Sequence, residues 1–229
     1  MNKQSPIILA LDSTDIQSVK SMIKITEHEI GIYKLGLEFY LSNGLPGVLE
    51  IQNTFPDIDI FLDLKLHDIP NTVKRSAATV AKSQPRFLTV HAAGGSEMIK
   101  GAAQELPHTE ITAVTVLTSL DEIALSSMGL PADPLKLAVD LAVNATKNGA
   151  RAVVCSPLEV AAIRAAVGPE ITLITPGVRP GSAKADDQKR VATPKEAISL
   201  GADLVVIGRP ITESPDPARS AKEISSSLK

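Results

Sequence analysis

The chain has 229 residues, a length that suits one α/β barrel of roughly 250 residues better than two domains. Its 44% hydrophobic and 21% charged residues are those of an ordinary globular protein with a large core, and nothing in them points to disorder. A formal net charge of -3, a pI near 5.8, 3% aromatic residues and no Trp exclude a basic nucleic-acid footprint and leave little material for stacking on single strands.

Short apolar runs recur along the chain at residues 7–11 (IILAL), 32–37 (IYKLGL), 60–66 (IFLDLKL), 87–92 (FLTVHA), 111–117 (ITAVTVL), 152–156 (AVVCS), 171–178 (ITLITPGV) and 204–208 (LVVIG). Between them lie stretches with helical periodicity, among them NTVKRSAATVAK, DPLKLAVDLAVNATKNG and SPLEVAAIRAAVG, several opening on an N-cap residue and two closing on Gly. Strand followed by helix, eight times over, predicts a closed parallel (β/α)8 TIM barrel as a single domain over residues 1 to 229. An open doubly wound sheet is the alternative, but ALDSTD after the first strand lacks the Gly-rich phosphate turn such a sheet carries. Residues 119–133, after the fifth strand, form a longer insertion that is read either as a lid or as a short helix.

The run IILAL is too short for a signal-peptide core and no run approaches membrane-spanning length, so the expected location is the cytoplasm, with no membrane partner. The one cysteine, Cys155, allows no disulfide within the chain. In its apolar run it reads as a small buried hydrophobe.

Barrel enzymes build their active sites at the C-terminal ends of the strands, and the polar residues of this chain fall there. Asp12 ends the first strand, Lys34 lies in the second, Asp63 and Lys65 in the third, and His91 ends the fourth. Thr118 and Ser119 follow the fifth, Ser156 the sixth, Arg179 the seventh and Arg209 the eighth. Residues two apart on a strand share a face, so Asp63 and Lys65 are expected to point inward together, with Leu62, Leu64 and Leu66 outward under the helices. Asp68 falls out of phase just before Pro70. A purely structural ion pair is the alternative for Asp63 and Lys65, with Asp68 as a turn residue or cap. Four charges at one mouth argue against it, because replacing buried ion pairs with apolar residues is often neutral or stabilising.

The segments PGVRPG (176–181) and IGRP (207–210) follow strands seven and eight, where barrel enzymes frequently hold phosphate. Glycines let backbone N–H groups approach an anion, and an Arg adds charge-assisted hydrogen bonds. Turn glycines beside solvated arginines are the plainer reading. His28, His67, His91 and His108 show no metal-ligand spacing, and packing is the expected role of His67 and His91.

Taken together, DLKLHDIPNT, the preceding Lys34, and PGVRP and IGRP after it resemble the orotidine 5'-monophosphate decarboxylase family over essentially the whole chain. The resemblance implies loss of carbon dioxide from orotidine 5'-monophosphate to give uridine 5'-monophosphate, with no metal or organic cofactor. It also implies that Lys34, Asp63 and Lys65 form an alternating charge network completed by Asp68 from the partner subunit of a homodimer. Lys65 would stabilise the carbanion at carbon 6 of the pyrimidine and then protonate it. Asp12 would bind the ribose with Lys34, Ile69 and Thr72 would belong to the substrate site with Thr72 crossing the interface, and Thr118, or Ser119 in its place, would meet the pyrimidine. Gln188, Gly208 and Arg209 would hold the phosphate, with Arg179 beside them.

The nearest rival is a sugar-phosphate decarboxylase or aldolase sharing the D-x-K-x-x-D core. Such relatives use a divalent metal, typically with an acidic residue near the position of Lys34. A barrel that only senses or sequesters a nucleotide is the non-enzymatic alternative, but it has no use for Lys65 beside Asp63.

Overall fold

The computed structural model describes residues 5–178 and 193–228. Strands β1 (Ile7–Leu11), β2 (Ile32–Gly36), β3 (Asp59–Leu66), β4 (Phe87–His91), β5 (Glu110–Val114), β6 (Ala152–Val154), β7 (Thr172–Thr175) and β8 (Leu204–Ile207) form one closed parallel barrel in chain order, β8 pairing back onto β1. At least one helix follows each strand. The expected (β/α)8 barrel is what the chain forms.

Every residue of β1 is buried, as expected for a parallel strand covered on both faces. Alternation divides its side chains between two cores. Ile8, Ile32, Phe61, Phe87, Ala152, Ile174 and Leu204 fill the barrel interior, where the Phe61 and Phe87 rings meet at 5.5 Å between centroids. Ile7, Leu9, Leu11, Leu62 and Leu64 belong to the larger core between sheet and helices. That core also takes the inner helix faces, such as Val19 and Ile23 of the helix Ile16–Thr26, and Val73, Ala77 and Val80 of the helix Pro70–Val80.

Helix starts follow local chemistry. Asp15 caps Ile16–Thr26 by accepting from Gln17 and Ser18, and Asp133 caps Pro134–Lys147 through the Lys136 N–H. The helix expected from Ser156 begins only at Val160. Residues 156–159 form a turn instead, in which the Ser156 N–H donates to Glu159 Oε2 (2.9 Å) and the Leu158 N–H to Ser156 Oγ (3.3 Å). The insertion 119–133 contains a short helix, Glu122–Ser127, capped by Asp121. A four-residue helix, Arg209–Thr212, follows β8 directly.

The strand pairing departs from simple expectation at one place. β3 and β4 run in register through Leu62↔Leu88, yet the next partner of Val90 is Leu66, so β3 carries extra residues there. The irregularity contains Lys65, whose φ of 49° is left-handed. Only one other non-glycine among the described residues, Gln84, has a positive φ. Such a backbone costs on the order of 1 to 3 kcal/mol and persists only where its surroundings hold it.

Candidate active site

At the C-terminal mouth of the barrel a chain of alternating charges runs from β1 to β3. Lys34 Nζ lies 3.2 Å from Asp12 Oδ1 and 3.5 Å from Asp63 Oδ2, and Lys65 Nζ is 2.8 and 2.9 Å from the two oxygens of Asp63. Gly36 lies directly beside the first link, where a Cβ would stand in ordinary contact with Lys34 Nζ (3.4 Å) and Asp12 Oδ1 (3.6 Å). Exposure is graded along the chain: side chains of Lys34 and Asp63 are 13% and 12% exposed, Lys65 39% and Asp12 66%. The two inner groups are thus held while the two outer ones face the opening.

Burial pushes the Asp63 carboxyl up, but the ammonium groups of Lys34 and Lys65 and the hydrogen bonds from Lys65 and Thr89 outweigh it. The group ends below the usual carboxylate range and stays ionised. Beside this network the rings of His67 and His91 lie 5.3 Å apart. Burial holds the His91 imidazole below its ordinary value, helped by His67 and Lys65 and opposed by Asp63.

The charges border a cavity of about 310 Å³ whose polar wall includes Asp12, Lys34, Asp63, Lys65, Thr118 and Arg209. Val116, Leu117, Val154 and Val206 supply an apolar wall. The lining therefore combines ammonium groups, the Gly208 and Arg209 turn next to Asp12, and an apolar surface against which a flat, partly apolar ring could pack. Thr118 reaches the cavity and Ser119 does not. A smaller recess of about 190 Å³ adjoins the charged groups, with Leu37 and Glu38 on its far side.

Asp68 and Ile69 stand apart. Both are exposed, Ile69 at 67%, and Asp68 Oδ1 accepts from the Ile69 N–H at 2.6 Å rather than meeting Lys65. Thr72 lies in the first turn of the following helix, away from the cavity wall. Arg179 and Gln188 lie outside the described residues.

The residue that sequence reading passed over is Thr89. It lies on β4 two positions from Phe87, which points into the barrel, so the same alternation that placed Asp63 marks it as inward-facing. Its hydroxyl accepts from the Lys65 N–H at 2.7 Å and donates to Asp63 Oδ1 at 3.0 Å. Among the described residues, no group of three or more His, Cys, Asp or Glu side chains is placed to hold a metal ion, and no helix is long and apolar enough to cross a membrane.

Comparison with known proteins places the whole chain in a family. The family model described as Orotidine 5'-phosphate decarboxylase / HUMPS family matches residues 5–224. A relative named orotidine 5'-phosphate decarboxylase from Thermobifida fusca (strain YX) is 50% identical over 224 residues, covering 98% of this chain and 96% of its own. Another of that name, from Anaeromyxobacter sp. (strain K), is 46% identical over 229 residues, the full length of both. The crystal structure of orotidine 5'-phosphate decarboxylase from Lactobacillus acidophilus superposes with a TM-score of 0.85 at 34% identity, covering 99% of this chain and all of that one. Matched from end to end in sequence and in fold, the chain belongs to the orotidine 5'-phosphate decarboxylase / HUMPS family.

Proposed function

We propose that this barrel, acting as one domain, performs the decarboxylation for which its relatives are named, with Lys65 as the group that stabilises and then protonates the carbanion. Family and full-length identity support an enzyme of pyrimidine nucleotide biosynthesis that takes orotidine 5'-monophosphate to uridine 5'-monophosphate. The observation that carries the mechanism is the two-oxygen contact of Lys65 Nζ with a largely buried Asp63, itself flanked by Lys34, at the wall of the cavity.

In this reaction the bond between carbon 6 and the carboxylate breaks, its electron pair stays on carbon 6, and carbon dioxide leaves. The pair occupies an orbital that the ring π system cannot delocalise. A fixed ammonium facing it stabilises the developing charge without reorganisation. Lys65 then gives one proton to carbon 6 and is reprotonated from solvent, while Asp63 holds it in place.

Proton donation by itself contributes about 10²- to 10⁴-fold, roughly 3 to 5 kcal/mol, whereas hard reactions demand up to about 23 kcal/mol. Preorganised charge and binding at the far end of the substrate supply the remainder. Gly208 and Arg209, with Gln188 and Arg179 from the segment after β7, are assigned to the phosphate, and binding energy gained there serves the reacting carbon. Asp12 and Lys34 take the ribose, and Thr118 the pyrimidine. No step needs a metal or an organic cofactor.

Asp68 is exposed, turned to the Ile69 N–H and without an ion pair to Lys65, which supports a role outside its own chain's site. A second copy of the chain that presents Asp68, Ile69 and Thr72 to the open recess beside Lys65 and Leu37 completes the network, so the proposed working form is a homodimer. The test is the loss of orotate-ring ultraviolet absorbance when purified protein meets orotidine 5'-monophosphate in excess chelator. Rapid loss that disappears in Lys65→Ala supports the reading. Activity only after magnesium is restored, or on a sugar phosphate instead, overturns it.

A further inference from the structure

Thr89 is fully buried, and it does not line the cavity. Any effect on the reaction must pass through its neighbours. A hydroxyl has one proton to give and lone pairs to receive. The Lys65 amide can only donate and the ionised Asp63 carboxylate can only accept, so the direction of both bonds is settled: Lys65 N–H to Thr89 Oγ1 (2.7 Å), Thr89 O–H to Asp63 Oδ1 (3.0 Å). The same Asp63 oxygen lies 2.8 Å from Lys65 Nζ. The contacts close a ring that leaves Lys65 by its backbone and returns by its side chain.

The ring sits where the sheet is irregular. Because the β3 register jumps between Leu62 and Leu66, the Lys65 N–H has no ladder partner on β4, and its left-handed backbone needs an outside restraint. Thr89 supplies both with one atom. It anchors the backbone from which the ammonium springs and one of the two oxygens that receive it.

We propose that Thr89 is a positioning residue for the decarboxylation: its hydroxyl, through the ring with Lys65 and Asp63, fixes the Lys65 ammonium where the carbanion forms. This rests on the mechanism proposed above for Lys65. Gly208 and Arg209, proposed above for the phosphate, make none of the ring's bonds, so its loss is expected to lower kcat and leave substrate binding nearly intact. The hydroxyl also favours the charged form of Asp63. Asp63 faces Lys34 from β2 and Lys65 on its own strand, with Asp12 beyond Lys34 and His67 and His91 nearby; removing the hydroxyl subtracts one stabilising bond from this set.

Thr89→Val removes the hydroxyl at almost constant volume, and Thr89→Ser retains it. Both are assayed on orotidine 5'-monophosphate beside the parent and Lys65→Ala. In Thr89→Val, kcat is expected to fall about 10- to 100-fold, as a small misplacement of a reacting group does. KM should stay within about threefold, and the acid limb of kcat should move to higher pH. Thr89→Ser should keep kcat within about threefold of the parent with an unmoved pH profile. Parent-like kcat in folded Thr89→Val, equal losses in both variants, or a change in KM alone overturns the proposal. If Thr89→Val does not fold, Thr89→Cys replaces it, with a thiol that bonds only weakly, and the same criteria apply. An inactive parent removes the mechanism itself; an active parent with an inert Lys65→Ala and an unaffected Thr89→Val removes only the role of Thr89.

Discussion

Lys65 Nζ touches both oxygens of Asp63, at 2.8 and 2.9 Å, although the two residues are only two apart on β3. In a regular strand their Cα atoms would be about 7 Å apart with side chains standing parallel. The left-handed turn of the Lys65 backbone, φ 49°, accompanies a side chain folded back onto its strand neighbour. Charge and hydrogen bonds to Asp63 and Thr89 thus hold Lys65 in a strained conformation.

Lys65→Ala removes both the ammonium and the donor. Turnover of orotidine 5'-monophosphate should fall by about 10⁴-fold or more, the combined scale of general-acid and electrostatic terms. Circular dichroism and melting temperature should match or exceed the parent's, because strained and charged active-site residues commonly cost stability. Near-normal turnover would remove Lys65 from the mechanism.

Arg209→Ala should act on binding. A charge-assisted contact to phosphate is worth about 1.5 to 3 kcal/mol, so KM is expected to rise by roughly 10- to 150-fold with a smaller change in kcat. Steady-state kinetics on the phosphorylated substrate reads this directly. An unchanged KM would move the phosphate site elsewhere.

Asp68→Ala and Lys65→Ala, each inactive alone, should complement when mixed. With free exchange at equal amounts, about half the dimers are hybrids, each with one intact site of two, so activity should recover to about one quarter of the parent's. Subunit exchange observed by mass spectrometry without recovered activity would return Asp68 to its own chain.

Asp63 gives a pH prediction with a definite sign. Its native carboxyl lies below the usual value, so the native state binds the proton less readily than the unfolded chain. Its contribution to stability is complete above the unfolded value near pH 4, and it fades as pH falls through the lower native one. Asp63→Asn, which leaves the Lys65 ammonium without its carboxylate and Lys34 with Asp12 alone, should destabilise by about 1 to 3 kcal/mol at neutral pH, with the difference shrinking below pH 4 in urea titrations. A difference constant from pH 7 to pH 3 would contradict this.

Arg164 should affect stability without affecting the chemistry. On the outer helix Val160–Val167 it donates to the carbonyls of Gly168 (2.8 Å), Ile171 (2.7 Å) and Gly201 (2.9 Å) and pairs with Asp203. Arg164→Ala is expected to cost roughly 2 to 4 kcal/mol, and Arg164→Lys to recover little because an ammonium lacks the planar fork. Chemical denaturation measures the loss, and kcat at a permissive temperature should be unchanged.

Much of this molecule is written in local pattern. The apolar run IILAL and its seven successors, separated by helical stretches, specify strand and helix because side-chain spacing is a property of each segment, and eight such units without a Gly-rich phosphate turn favour the closed barrel that the chain forms. Parity alone places Asp63 inside and Leu62 and Leu64 outside, as observed. Three features were decided only by the tertiary structure: the register jump beside Lys65, the bond from its amide to Thr89, and the choice of Thr118 over Ser119 at the cavity wall. Each depends on how one strand or loop sits against elements distant in sequence. Periodicity says which way a side chain points, whereas only the assembled barrel sets what it meets.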